Sequence, residues 1–149
     1  MTLLLGAALW CALITAEPWL AQGGPAMRKI AALITLFFSP VCHQQAARCW
    51  TVGGHPMPVC ARCAGIYWGF LVGLLMASWL RWRTSPPLPR IWLFIAAIPI
   101  TVEFMLEKTG IWTGTLWLRS ATGFLAGGVL PLVILPALGE GLQRFKTRR

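Results

Sequence analysis

Long apolar stretches recur along the whole chain, each broken by a short segment in which Pro, Gly, Arg and Lys gather. Membrane spans and their loops alternate in this way, and the alternation leaves little choice of fold. In hydrocarbon every backbone polar group must be satisfied internally, which an α-helix does alone. Composition agrees, since 57% of the 149 residues are hydrophobic and only 11% are charged. The expected fold class is all-α: a single integral membrane domain over residues 1–149, a polytopic bundle of four to five transmembrane helices. The formal charge of +9 invites a nucleic-acid reading. The basic residues flank apolar segments instead of interleaving with polar and aromatic ones, so the lipid bilayer is the expected partner and nucleic acid is not.

The first span is expected at about residues 2–21, with Glu17-Pro18 near its end. No Lys or Arg precedes Arg28, so the segment lacks the basic start of a cleaved signal peptide and reads as a span. A second segment, about 28–42, has an apolar part from Ile30 to Val41 that reaches only about 18 Å into a core about 30 Å thick. It is either a short crossing or re-entrant. Further spans are expected at about 60–82, 91–107 and 116–138, with a Cys/His loop at 42–63 and a basic tail at 139–149.

Lys and Arg set orientation. If the second segment crosses, nine basic residues share one side (Arg28, Lys29, Arg81, Arg83, Arg90, Arg144, Lys146, Arg148, Arg149), against four (Arg48, Arg62, Lys108, Arg119). If it is re-entrant, Arg28 and Lys29 change sides and the split of seven against six carries almost no signal. The first count favours five crossings, an outward N-terminus and a cytoplasmic C-terminus in a bacterial inner membrane. Gly65, Gly69 and Gly73 recur at four-residue intervals, as do Gly123 and Gly127. This spacing lets helix backbones approach closely and suggests a helix–helix partner or a homo-oligomer through the first stripe.

Chemistry concentrates between Cys42 and Cys63, a stretch holding four of the five cysteines and both histidines. Cys60 and Cys63 are spaced Cys-x2-Cys at the start of a helix, a metal knuckle or a redox dithiol. Cys42 and His43 add two soft ligands upstream, so Cys42, His43, Cys60 and Cys63 match a tetrahedral zinc set. Three readings stay open. The leading one is a transition-metal site, most simply zinc, in a structural or regulatory role without catalysis. The second is a thiol-disulfide oxidoreductase coupled to membrane quinone, with Cys60 and Cys63 catalytic and one of them favoured as thiolate by the helix N-terminus and Arg62. The third is a structural disulfide in an outward, oxidising compartment. A small transporter or assembly partner has only the membrane charges Glu103 and Arg119 to support it.

Around the ligands, Gln44, Arg48, Arg62, Glu103 and Arg119 are candidates for an outer shell. Arg48 is expected either to pair with a thiolate or to meet headgroups. Glu103 and Arg119 are expected to pair with each other near the site, since an ionisable residue within a span is costly alone. Cys11, alone in the first span, reads as a small buried hydrophobe, and His55 in Gly53-Gly54-His55-Pro56 as a turn residue.

The words CHQQAAR (Cys42 to Arg48) and PVCARCAGIYWG (Pro58 to Gly69) resemble those of a family of small prokaryotic predicted membrane proteins, a domain of unknown function. The family pattern reads CHQ, Arg-Ser-Phe, Gly, then a VCARCTGIY-like word and Gly, followed by an acidic residue in a late span and Arg-x3-Gly-x3-Gly in the last. Here those later positions are Glu103, Arg119, Gly123 and Gly127. Cys49 stands where the family has serine and Ala64 where it often has threonine, which makes Cys49 a poor candidate for a family-wide role. The resemblance implies the membrane fold and the site, and no reaction.

Overall fold

A computed structural model of the chain describes residues 2–82 and 89–147, those at 80–82 and 137–147 by their backbone alone. Arg83, Arg148 and Arg149 of the basic segments lie outside the described residues. Five α-helices follow one another among them: α1 (Thr2–Ala21), α2 (Pro25–Phe38), α3 (Ala61–Trp82), α4 (Ile91–Lys108) and α5 (Leu116–Thr147). Three helices, over Thr2–Ala21, Ala61–Trp79 and Leu116–Pro136, are long and apolar enough to cross a membrane. At α4, Glu103, Glu107 and Lys108 interrupt an otherwise apolar 18-residue helix near its end.

The glycine spacing accounts for the central pair. A Cβ on Gly65, Gly69 or Gly73 would run into the backbone of Ser120, Phe124 or Gly128, and one on Gly123 or Gly127 into the carbonyls of Arg62 or Ile66. Both glycine stripes thus face each other, and α3 and α5 lie backbone to backbone and parallel. Small residues allow this approach, and close packing replaces the hydrophobic drive that lipid cannot supply. The helix–helix partner expected for the first stripe is α5 of the same chain. Because α3 and α5 run parallel, α4 returns antiparallel between their ends and packs on α5.

α1 and α2 form a hairpin through Gln22, Gly23 and Gly24, with Pro25 opening α2 where its missing N–H is not needed. α1 packs antiparallel to α3, its Trp10 ring edge-on to Tyr67 at 5.6 Å. The 14 residues of α2 span about 21 Å, and the helix stops where Phe37 and Phe38 meet Trp10 at 5.4 and 4.9 Å. From there the chain turns back, and the Gln44 carboxamide donates to the Thr35 carbonyl at 2.6 Å. A short hairpin, β1 (Thr51–Val52) and β2 (His55–Pro56), turns on Gly53 and Gly54, whose φ of 57° and 81° suit a two-residue turn that requires left-handed backbone at both positions. Gln22 at the end of α1 donates to Val52 there, so this hairpin, the start of α3 and the start of α5 share one end of the bundle.

Large apolar side chains face outward, among them Leu9, Leu33, Leu36, Phe94 and Ile98, an arrangement suited to lipid. Exposed tryptophans collect near the ends, Trp19, Trp112 and Trp117 at the hairpin end and Trp79 and Trp92 at the other, as interfacial belts do.

Candidate metal centre

Cys60 is the N-cap of α3: its carbonyl accepts from Ala64 N–H at 2.9 Å, and the helix starts at the next residue. Its sulfur faces the N–H groups of Arg62 and Cys63 and the Cys63 thiol, so the first-turn donors that a helix leaves unsatisfied point at sulfur. Cys63, three residues on, lies on the same face. The third sulfur arrives from the other segment: the Cys60 N–H donates to Cys42 Sγ at 3.2 Å. The three sulfurs lie within 4.8 Å of one another, and all five cysteines are unbonded thiols.

The wall around this cluster is apolar. Ile14 of α1, Ile34 and Phe38 of α2, Val59 and Ala64 are buried against it, with Cys60, Cys63, Met57 and Tyr67 packed on them. Cys42 is itself only 7% exposed. A cleft of about 350 Å³ is lined by Ser39, Pro40, Val41, Cys42, His43 and Gln44.

His43 is exposed and is not part of the three-sulfur group. The chain is irregular here, and consecutive side chains diverge: Cys42 is buried, His43 is exposed, and Gln44 adopts φ 49°, in the left-handed region. His55 sits exposed in β2. Cys49 is 3% exposed, its thiol donating to Gln45 O at 3.2 Å. Burial, with the neighbouring Cys60 and Cys42 sulfurs adding to it, pushes that thiol up to about 11. Cys11 is buried, as expected of a small apolar side chain.

The charged residues form a second cluster. Glu103 meets Arg62 at 3.1 Å and Arg119 at 3.8 Å, and accepts from the Thr122 hydroxyl at 3.0 Å. Glu107 meets Arg119 at 3.0 Å, Arg62 at 3.6 Å, and Arg48 of the cysteine loop. Arg48 thus meets neither a thiolate nor headgroups through this contact: a carboxylate claims it. Arg62 likewise turns from the thiols toward α4, because two residues along a helix point about 200° apart. The ion network and the thiol cluster therefore occupy different faces of the first turns of α3. Glu103 and Arg119 do meet, as the cost of an unpaired charge in a span leads one to expect. Sequence reasoning passes over Glu107, which lies one turn beyond Glu103 and on the same face; that spacing is the available signal. Trp50, whose indole donates to Ser120 Oγ at 2.9 Å while Ser120 donates to Ala61 O at 3.2 Å, ties the loop to α5 and α3.

Residues 42–133 match the family of predicted membrane proteins of unknown function called DUF2085, and the chain belongs to that family. An uncharacterized protein of Methanocaldococcus jannaschii is 36% identical over 119 residues, 78% of this chain and 76% of the relative. An uncharacterized protein of Methanothermobacter thermautotrophicus is 28% identical over 95 residues, 64% of this chain and 85% of the relative. No solved structure matches the chain.

Proposed function

We propose that this member of a predicted membrane protein family binds one transition-metal ion, most suitably zinc, on the thiolates of Cys42, Cys60 and Cys63. The observation that carries the reading is the convergence of three sulfurs, from two separate segments, within 4.8 Å of one another. Two sulfurs bound tetrahedrally to one zinc at about 2.3 Å each stand about 3.8 Å apart, so a small inward adjustment suffices. His43 is exposed and outside the three-sulfur group, so the described residues would supply three ligands and solvent or an exogenous ligand would supply the fourth. A centre with three protein ligands and one open position suits an exchangeable, regulatory ion better than a closed structural one. Elemental analysis of protein purified without chelator, paired with a free-thiol count, tests this. Expected is close to one metal per chain, lost in Cys60→Ser and in Cys63→Ser and retained in His43→Ala. Protein that takes up no zinc, with Cys42, Cys60 and Cys63 as titratable in its presence as in its absence, overturns the reading.

A dithiol reading has its own support in Cys60 at the helix N-cap facing the Cys63 thiol. Joining the two sulfurs would release two electrons and two protons, which a membrane quinone would take up as quinol. An apolar groove of about 560 Å³ between α1, α3 and α5, lined in part by Trp10, Tyr67 and Phe70, lies beside the cluster. Metal-free protein with a reducible Cys60–Cys63 bond would favour this second reading.

The topology proposed with the site has α1, α3, α4 and α5 crossing the bilayer and α2 re-entrant from the hairpin end. Support comes from the parallel α3 and α5 and from the halt of α2 at Trp10. Both termini then share one side with the 81–90 segment; the whole count of basic residues is nearly even in this topology, and the cytoplasmic assignment of that side rests on the cost of translocating a short loop with three arginines.

A further inference from the structure

We infer that Gln44 is the positioning residue that sets the distance between Cys42 and Cys60, and through it the affinity and geometry of the metal centre; this rests on the zinc reading above. The two sulfurs belong to segments with no regular structure between them. Cys42 follows the turn after α2, and Cys60 ends the loop that leads into α3. One side chain spans both. The Gln44 carboxamide nitrogen donates to the Thr35 carbonyl on α2 at 2.6 Å and to the Pro58 carbonyl, two residues before Cys60, at 2.9 Å.

Chemistry and backbone both select this residue. The two hydrogens on the neutral carboxamide nitrogen give each carbonyl a full hydrogen bond, and a carboxylate has none to give. Gln44 is also the one non-glycine residue with positive φ among the described residues, at 49°. A glutamine held in that uncommon conformation by two hydrogen bonds is over-determined by its surroundings, as strained residues at functional sites are. The turn after Phe38 brings Cys42 back beside the start of α3, where the Cys60 N–H donates to Cys42 Sγ at 3.2 Å, and Gln44 ties this returning segment to both α2 and Pro58. Without the clamp the Cys42 segment and the Pro58 segment are held to each other chiefly by apolar packing, which resists separation but sets no sulfur–sulfur distance. Groups that orient metal ligands from outside typically change metal affinity about 10–100-fold when removed.

The test uses the full chain in detergent micelles with Co²⁺ as the probe, read by its thiolate charge-transfer and visible d–d bands. Gln44→Ala, Gln44→Glu and Gln44→Gly are each expected to weaken Co²⁺ about 10–100-fold and to shift the d–d band. Gln44→Glu keeps the size without the donor, and Gln44→Gly accepts the backbone conformation freely, so neither packing nor strain explains a loss common to all three. Affinity and d–d band unchanged in the variants, whatever happens to their melting temperature, would mean a purely structural role and overturn the inference. Should the parent protein bind no Co²⁺, the zinc reading falls and the clamp is judged by itself. In a Cys63→Ser background, a trivalent arsenical that bridges two thiols is expected to capture Cys42 with Cys60, at least about tenfold more slowly after Gln44→Ala, in line with the same range. Equal capture rates would overturn the clamp.

Discussion

Glu103→Gln is the substitution whose cost the structure defines best. The carboxylate is 3% exposed and holds Arg62 at 3.1 Å, Arg119 at 3.8 Å and the Thr122 hydroxyl at 3.0 Å. Glutamine has the same shape and no charge, so three arginines and two glutamates, a net +1, become a net +2 in a largely buried place. Breaking a buried pair by neutralising one partner costs about 3–5 kcal/mol. The network offsets part of this. Arg119 keeps Glu107 at 3.0 Å and the Gly114 carbonyl at 3.2 Å, whereas Arg62 keeps its 3.6 Å contact with Glu107 and the Phe104 ring at 5.8 Å. The expected loss is therefore at the lower end, about 3 kcal/mol. At about 2–4 °C per kcal/mol for a chain of this length, the melting temperature falls by about 6–12 °C. Glu107→Gln should cost less, because one of its partners, Arg48, is 45% exposed and solvent already screens that pair. Thermal unfolding in detergent, followed by helical circular dichroism, measures both. Adding Arg119→Gln to Glu103→Gln returns the net charge to +1, so the double variant should lose less than the sum of the singles by at least about 1 kcal/mol. A Glu103→Gln variant within about 0.5 kcal/mol of the parent, or strictly additive losses, would show that the network carries no such energy.

Gly69→Ala and Gly127→Ala should each destabilise the protein by about 1–3 kcal/mol or more, since the new methyl meets the backbone of Phe124 or of Ile66, which cannot rotate away. An unchanged melting temperature would contradict the α3–α5 interface, and Gly6→Ala, with open space around it, serves as the control. Cys49, its thiol pushed up to about 11, should alkylate slowly at pH 8 in chelator-treated protein and faster as the pH approaches its ionisation. Labelling of Cys49 as fast as that of a free thiol would place it in a more open setting than the buried one seen here. Reporter fusions before α1, after Arg90 and after Arg149 should all report the same side of the membrane; a reporter before α1 that differs from the other two would make α2 a full crossing.

Local spacing is the part of this protein that the sequence determined by itself. Runs of apolar residues near membrane thickness decide where α1, α3 and α5 lie, because a helix rises by a constant amount per residue. The same regularity puts Cys60 and Cys63 on one face and lines up Gly65, Gly69 and Gly73, and the cost of a lone charge within a span makes the meeting of Glu103 with Arg119 foreseeable. Between helices no such rule operates. Which side of α3 the glycines would close on, and that α5 would fill it, depended on where the chain returned after α4. Whether Cys42 or His43 would look toward Cys60 was decided in an irregular turn, where Cys42 is buried beside the Cys60 N–H and His43 is exposed. Proximity in the chain makes Arg48 and Arg62 look like neighbours of the thiols; in the folded bundle two carboxylates one turn apart on α4 attract both. Buried charge goes to the nearest opposite charge in space, and only tertiary packing says which that is.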